Sequence, residues 1–456
     1  MGGQGWSLVG ALACVAACSM PATPGDRGAA RDAGGGTGAD AGTGAAGNGG
    51  QVVPGKNLGP GVLGGIDIDG SDEADAGVEA SLPPRVDDGG PWTVAVPSGM
   101  PQVTNGGGPL VTSPRFQSVT FPGYDLTADV DDLVAKIGAT SYWRQATFEY
   151  GIGPAAAAPP AHLTETAPTN TSDGQIQQWL ASELGSNSAF AAPGSGTVYV
   201  LFFPSTTNIT FEGEQSCFTM GAYHNSVVIG GVSVPYAVVP ECASDQRGGL
   251  DSTTSAASHE MIESVTDPSP LGTPLGYSGV DPAHLYFQLV LGGGELADLC
   301  AQWPSSFFTP DDLHHVVQRT WSNRAAVAGR DPCQPELDGE TFFNAVPVLT
   351  DTVPINQGTQ SVTTQGVIIA SGASRTIDVQ LYSEADVGPW TVQALNAPVY
   401  ADNLSFSWDR TSGNNGDTLH LTISVNSFDP TLGGDAFLIE STLDGETNYW
   451  LGYVGQ

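Results

Sequence analysis

Residues 225–239 read NSVVIGGVSVPYAVV and residues 252–268 read STTSAASHEMIESVTDP; the order of these two stretches decides the fold. The first places β-branched and aromatic residues on either side of Gly230-Gly231, the pattern of two strands joined by a tight turn. The second opens on Ser and Thr, which cap helices, and closes on Asp267-Pro268, which ends them. The pattern predicts a helix over residues 252–266. At 100° per residue, Ala257, Met261, Val265 and Ile262 fall within an arc of about 140°. His259, Glu260 and Glu263 lie on the opposite side, so the helix is expected to bury one face and turn this polar trio into a cleft.

Positions i and i+4 stack on one helix face, which lets His259 and Glu263 grip a single metal ion. The spacing is that of H-E-x-x-H, a helix-borne zinc hydrolase motif, with glutamate in place of the second histidine. Zinc accepts carboxylate oxygens, so the exchange is chemically permissible. Glu260 then has the position of a general base, taking a proton from water that the metal acidifies. A third protein ligand is required, and Glu295, Asp298, His224 and Asp267 are the candidates. His224, at the start of the hairpin, reads as a ligand, an oxyanion donor or an ordinary hydrogen-bonded surface histidine. Asp267 precedes a proline, where capping or an Asx turn competes with ligation. Tyr223 is a possible oxyanion donor or a half-buried strand tyrosine.

Outward from this centre, residues 94–350 read as mixed α and β. Residues 116–121 and 197–203 (TVYVLFF) are predicted strands, and residues 126–137 and 175–184 are predicted helices. From residue 351 to 456 the helical period disappears. Short alternating runs take over, among them Ile377/Val379/Leu381 and Leu419/Leu421/Ile423/Val425, with turns such as Asp444-Gly445 between them. About seven strands in roughly 105 residues predict a β-sandwich. It carries no obvious catalytic cluster and reads as an accessory module.

The chain of 456 residues carries a net charge of −35, from 48 acidic and 13 basic residues. That balance repels nucleic acid, which is excluded as a partner, and anionic membrane surfaces. Residues 1–18 read as an export signal ending in Val15-Ala16-Ala17-Cys18, a lipobox-like site with Cys18 as the lipidated residue; membrane contact is expected through that anchor alone. Residues 19–93 are a Gly-, Ala- and Asp-rich tether with too little apolar surface to fold. The expected location is outside the cytoplasm, at the outer membrane or cell surface, or otherwise periplasmic or extracellular. Beyond the signal an even set of cysteines remains, Cys217, Cys242, Cys300 and Cys333, as expected of two disulfides in an exported chain. Of the three possible pairings, Cys217–Cys242 and Cys300–Cys333 are preferred because each brackets one compact segment.

The succession Cys217, Tyr223-His224, Cys242, then ASHEMIESVTDP, then a Gly-rich segment ending in Cys300 resembles secreted bacterial proteins of zincin type. Glu295-Leu296-Ala297-Asp298 begins 32 residues past Glu263 and resembles the downstream acids of the thermolysin-like metallopeptidases, the gluzincins. This likeness implies Glu295 as the third zinc ligand and Asp298 as the group that orients the histidine. The same region is distantly similar to plant phosphate-induced, EXORDIUM-like proteins, whose cysteine–histidine segment precedes a helix ending in T-N-P; here Thr266-Asp267-Pro268 stands there. The resemblance implies a zincin-like α+β domain and a zinc-dependent hydrolase of peptide or protein substrates. The alternative is a non-catalytic surface or carbohydrate-binding lipoprotein on the same fold.

Overall fold

Two strands run through the centre of the first domain, β1 (Arg115–Thr120) and β2 (Thr197–Phe203), paired in parallel with Phe116 opposite Val198. The structure, a computed structural model, describes residues 100–242, 249–301, 303–335, 341–357, 360–397, 403–428 and 434–456. The expected signal, Cys18 and the tether lie outside the described residues.

The predicted hairpin forms β3 (Tyr223–Ile229) and β4 (Val232–Pro240), antiparallel, with Gly230 and Gly231 at φ 58° and 87°. Both glycines occupy the left-handed region that a two-residue hairpin turn demands and that a Cβ disfavours. β4 pairs in parallel with β2, so β3 is an antiparallel strand at the rim of an otherwise parallel sheet.

The alternation of TVYVLFF explains the layers. Val198, Val200 and Phe202 share a core with helix α1 (Thr127–Lys136), through Val130, Leu133 and Val134. Tyr199, Leu201 and Phe203 face the other way, onto helix α2 (Asp173–Ser186), through Ile176 and Leu180. A strand covered on both faces has no polar side, which is why this stretch is apolar throughout. Helix α3 (Gly249–Thr266) lies on the α1 side, with Ala257, Met261, Ile262 and Val265 in that core.

Both disulfides are present, Cys217–Cys242 and Cys300–Cys333. The C-terminal region is sandwich-like. Phe343–Pro347, Ser374–Ser383, Thr418–Val425 and Leu404–Trp408 form one sheet, and Asp351–Gln357 begins the other. Val379, Leu421, Ile423, Phe437 and Ile439 fill the core between the sheets. The first strand starts at Phe343, ahead of the expected boundary at residue 351. The sandwich is not held apart from the first domain. Phe287 of helix α4 (Leu285–Leu291) meets Trp450 edge-on, with ring centroids 5.6 Å apart, and the Tyr286 N–H donates to Thr364 Oγ1 at 3.1 Å. No helix among the described residues is long and apolar enough to cross a membrane.

Candidate metal centre

Helix α3 is buried on every side, from Ser252 to Thr266. The cleft expected opposite its apolar arc is filled: the polar face meets other protein groups. Gln318, on the short strand Val317–Gln318, donates its main-chain N–H to Ser258 Oγ at 3.0 Å, and residues 295–298 close over Glu263. His259, Glu260, Glu263 and Glu295 are each no more than 2% exposed.

Seven titratable side chains converge here: His224 from β3, the trio of α3, Asp267 just past its end, and Glu295 and Asp298 from the Gly-rich loop. His224 is deeply buried, so the surface reading of this residue is overturned. It lies opposite Ala237 on the sheet face that packs against α3. Its neighbour Tyr223 points to the other face and stacks on Phe211 at 4.3 Å, which removes it from any oxyanion role.

Each histidine has one ring nitrogen fixed by an oxygen that can only accept. His259 Nδ1 lies 3.0 Å from Gln318 Oε1. The Gln318 amide is itself oriented by donation from Nε2 to Ala297 O at 2.8 Å. His224 Nε2 lies 2.9 Å from the main-chain oxygen of Asp267. Gln318 Oε1 favours a proton on His259 Nδ1 and leaves Nε2 toward carboxylates, whereas His224 meets an acceptor at both ring nitrogens. His259 Nε2 is 3.0 Å from Glu263 Oε2 and 3.6 Å from Asp298 Oδ1, without hydrogen-bond alignment to either. His224 Nδ1 is 3.2 Å from Glu260 Oε2 and 3.8 Å from Glu263 Oε2. The contact of His259 Nε2 with Glu263 is favourable only with a cation, proton or metal, between them, and His224 Nδ1 joins Glu260 Oε2 in a hydrogen bond.

Glu263 is held by two main-chain donors. Ala297 N and Asp298 N reach its Oε1 at 3.1 and 3.2 Å, leaving Oε2 toward the histidines. Gln318, and not Asp298, holds His259 Nδ1; Asp298 Oδ1 lies 3.6 Å from the other ring nitrogen, Nε2. Asp298 Oδ2 accepts the Glu295 N–H at 3.1 Å. Asp267 Oδ1 accepts from Gly276 N at 3.0 Å, the local turn expected of it, while Oδ2 has no partner. Nothing in the local sequence pattern around Gln318 marks it, because its partner His259 lies 59 residues earlier.

The electrostatics follow from burial. Desolvation, then the charge of Asp298, push Glu263 up to about 7, with His259 pulling the other way. Glu295 is raised well above the carboxylate range by burial and then by Glu263, Asp267 and Asp298. Asp267 is also raised by burial, in part offset by the Gly276 N–H. Burial opposes a proton on His259, but the charge of Glu263 and the reach of Asp298 outweigh it, and the imidazole stands well above its ordinary value. His224 is raised in the same manner, through Glu260.

These residues fit a divalent cation. His259 Nε2, Glu260 Oε1, Asp267 Oδ2 and Glu295 Oε1 are buried and lack hydrogen-bond partners. Buried polar atoms of folded proteins are otherwise nearly always paired. The donor atoms of His259, Glu260 and Glu263 lie within 4.8 Å of one another, as do those of His224, Glu263 and Glu295.

No protein-family model matches this sequence, and no curated protein matches it. Among solved structures it is similar to the FixG-related protein from Vibrio parahaemolyticus, at 9% identity and TM-score 0.17, over 25% of this chain and 95% of that one. It is similar to the titin M3 domain at 9% identity and TM-score 0.15, over 25% and 94%. A family 123 glycoside hydrolase from Clostridium perfringens matches at 12% identity and TM-score 0.16, over 25% and 27%. Likenesses of this size establish neither fold nor activity.

Proposed function

We propose that this chain is an exported metalloprotein whose first domain is zincin-like and binds a divalent cation, zinc by preference, through His259 and Glu263. The observation that carries the reading is the convergence of two buried imidazoles on buried carboxylates, with His259 Nε2, Glu260 Oε1 and Glu295 Oε1 left without hydrogen-bond partners. A metal accepts those lone pairs and balances those charges together, and a carbonyl on the far ring nitrogen is the usual support for a metal-bound histidine. The succession of strand β2, the edge hairpin β3–β4 and then α3 is the order expected of a zincin domain. Cys18 would anchor the chain to a membrane and residues 19–93 would hold it away from the surface.

The activity this donor set suits is peptide hydrolysis. Zinc, when bound, polarises a carbonyl and acidifies water. Glu260 is the base: its unpartnered Oε1 takes the proton, and Oε2 is steadied by His224 Nδ1 at 3.2 Å. His224 and the main-chain donors to Glu263 keep the carboxylates apart and oriented. Glu295 supplies the further ligand, with Asp298 Oδ1 as its competitor.

The enclosure of α3 favours a second reading, in which the ion is structural and the chain is a non-catalytic surface or carbohydrate-binding protein. Structural zinc sites are closed, whereas catalytic ones keep an open position. Metal content and cleavage of a varied peptide library, measured for the purified protein, His259→Ala and Glu260→Gln, separate the two. The hydrolase loses metal in the first variant, and in the second keeps metal but loses turnover. Metal with no cleavage by the parent selects the structural ion. Full metal retention by His259→Ala sinks the site assignment.

A further inference from the structure

We infer that the centre takes two divalent cations, with Glu263 Oε2 shared between them. This rests on the reading that the site binds metal and adds its stoichiometry and the division of its ligands. The groups fall into two sets that meet at one residue: His259 and Glu263, with the base Glu260 beside them, on one side, and His224, Glu263 and Glu295 on the other. Glu263 is built for sharing. Its Oε1 is occupied by the N–H groups of Ala297 and Asp298, so Oε2 alone faces both rings, 3.0 Å from His259 Nε2 and 3.8 Å from His224 Nδ1.

The two rings come from different elements, a helix and a rim strand, and each is pinned by its own acceptor. His224 reaches both other members of its set, Glu263 Oε2 at 3.8 Å from Nδ1 and Glu295 Oε1 at 3.7 Å from Nε2. Unpartnered atoms also occur in both sets: His259 Nε2 and Glu260 Oε1 in the first, Glu295 Oε1 in the second.

Charge points the same way. Five buried carboxylates, Glu260, Glu263, Asp267, Glu295 and Asp298, carry a formal −5 when ionised. Among the described residues their ion-pair partners are the two histidines. One divalent ion leaves −3 and two leave −1. With the carboxylates ionised by metal binding, the second ion brings the cluster nearest to neutrality. Paired metal sites with a shared carboxylate have ions about 3.5–4 Å apart, a spacing one bridging oxygen permits.

The test loads the full, untagged chain with Mn(II) and counts metal per protein by elemental analysis and native mass spectrometry. Two equivalents and an exchange-coupled manganese EPR signal are expected. His224→Ala should fall to one equivalent with an uncoupled six-line spectrum, and His259→Ala should do likewise. One equivalent in the parent, uncoupled and unaffected by His224→Ala, overturns the shared site but leaves the metal centre. No bound metal overturns both. The parent's count and spectrum decide the matter even where a variant fails to fold.

Discussion

Gln318 Oε1 lies 3.0 Å from His259 Nδ1, and this contact, through the side chain of a residue on another element, decides which nitrogen of the histidine faces the acids. Replacing Gln318 with leucine removes the acceptor and frees the ring to turn. Loss of a partner behind a metal-bound histidine lowers affinity about 10–100-fold. A competitive chelator titration of Gln318→Leu should register that loss. Gln318→Glu keeps an acceptor toward Nδ1 but loses the donation to Ala297 O, and should recover only part of it. Equal affinities for parent and leucine variant would remove Gln318 from the centre.

Gly293 makes room for Asp298. A Cβ at this position would lie 2.0 Å from Asp298 Oδ2, the atom that accepts the Glu295 N–H. Gly293→Ala must displace that carboxylate and the loop it closes. Overpacking of this kind costs about 1–3 kcal/mol. Urea unfolding of the metal-free protein should show that loss, and the metal-loaded protein a larger one, because the ligand loop has moved. An alanine variant with parental stability would mean that the loop yields freely.

The metal-free protein should lose stability as pH rises. Glu263 moves from its usual 4.5 to about 7 on folding, and Glu295, Asp267 and both histidines are also raised. A raised group binds more protons folded than unfolded, so each contributes in the same direction. The Glu263 contribution is complete below about pH 4.5, its unfolded value, and is lost as pH climbs through about 7. Metal displaces these protons, so zinc affinity should rise with pH, and calorimetry in buffers of different ionisation heat should detect proton release. A flat stability profile in EDTA across this window would show that the cluster is not protonated as described.

How much of this was legible depends on the range of the interactions. The β3–β4 hairpin, the length of α3 and the alternation through Val379, Leu421 and Ile439 were readable, because each is set by neighbours in sequence. Of three pairings open in the sequence, the one preferred for bracketing compact segments is the one that forms. The enclosure of α3 was not readable. By pattern alone its polar face turned into a cleft, but the groups that fill that cleft lie 34 to 59 residues downstream in loops and a two-residue strand. The burial of His224 escaped for a related reason: a histidine beside a rim strand looks exposed until the helix packed on it is known.

The two disulfides should differ in effect, although they close loops of similar size, 25 and 33 residues apart. Loop-closure entropy assigns each about 3–4 kcal/mol of stability. Cys300 ends the short turn Asp298–Cys300, whose first N–H holds Glu263 Oε1. Serine replacement of Cys300 and Cys333 should therefore weaken metal binding as well as folding. Replacement of Cys217 and Cys242 should act mainly on folding. Chelator titration beside urea unfolding separates the effects, and parental metal affinity without Cys300–Cys333 would uncouple that bridge from the centre.

The sandwich reads as detachable in sequence, yet its Trp450 belongs to the core that also holds Phe287, Val290 and Leu291 of α4. A tryptophan 4% exposed and set edge-on to Phe287 cannot be truncated without a cavity between the two regions. Trp450→Ala should cost about 3–5 kcal/mol. If the two regions fold as one unit, a single unfolding transition moves to lower denaturant. If they fold apart, the loss appears in one of two transitions and metal affinity stays unchanged. Since α4 leads directly into the loop that carries Glu295 and Asp298, the shared core predicts the single transition, with metal affinity falling alongside it. Unfolding followed by tryptophan fluorescence and by metal release in the same sample would reveal whether the two signals move together.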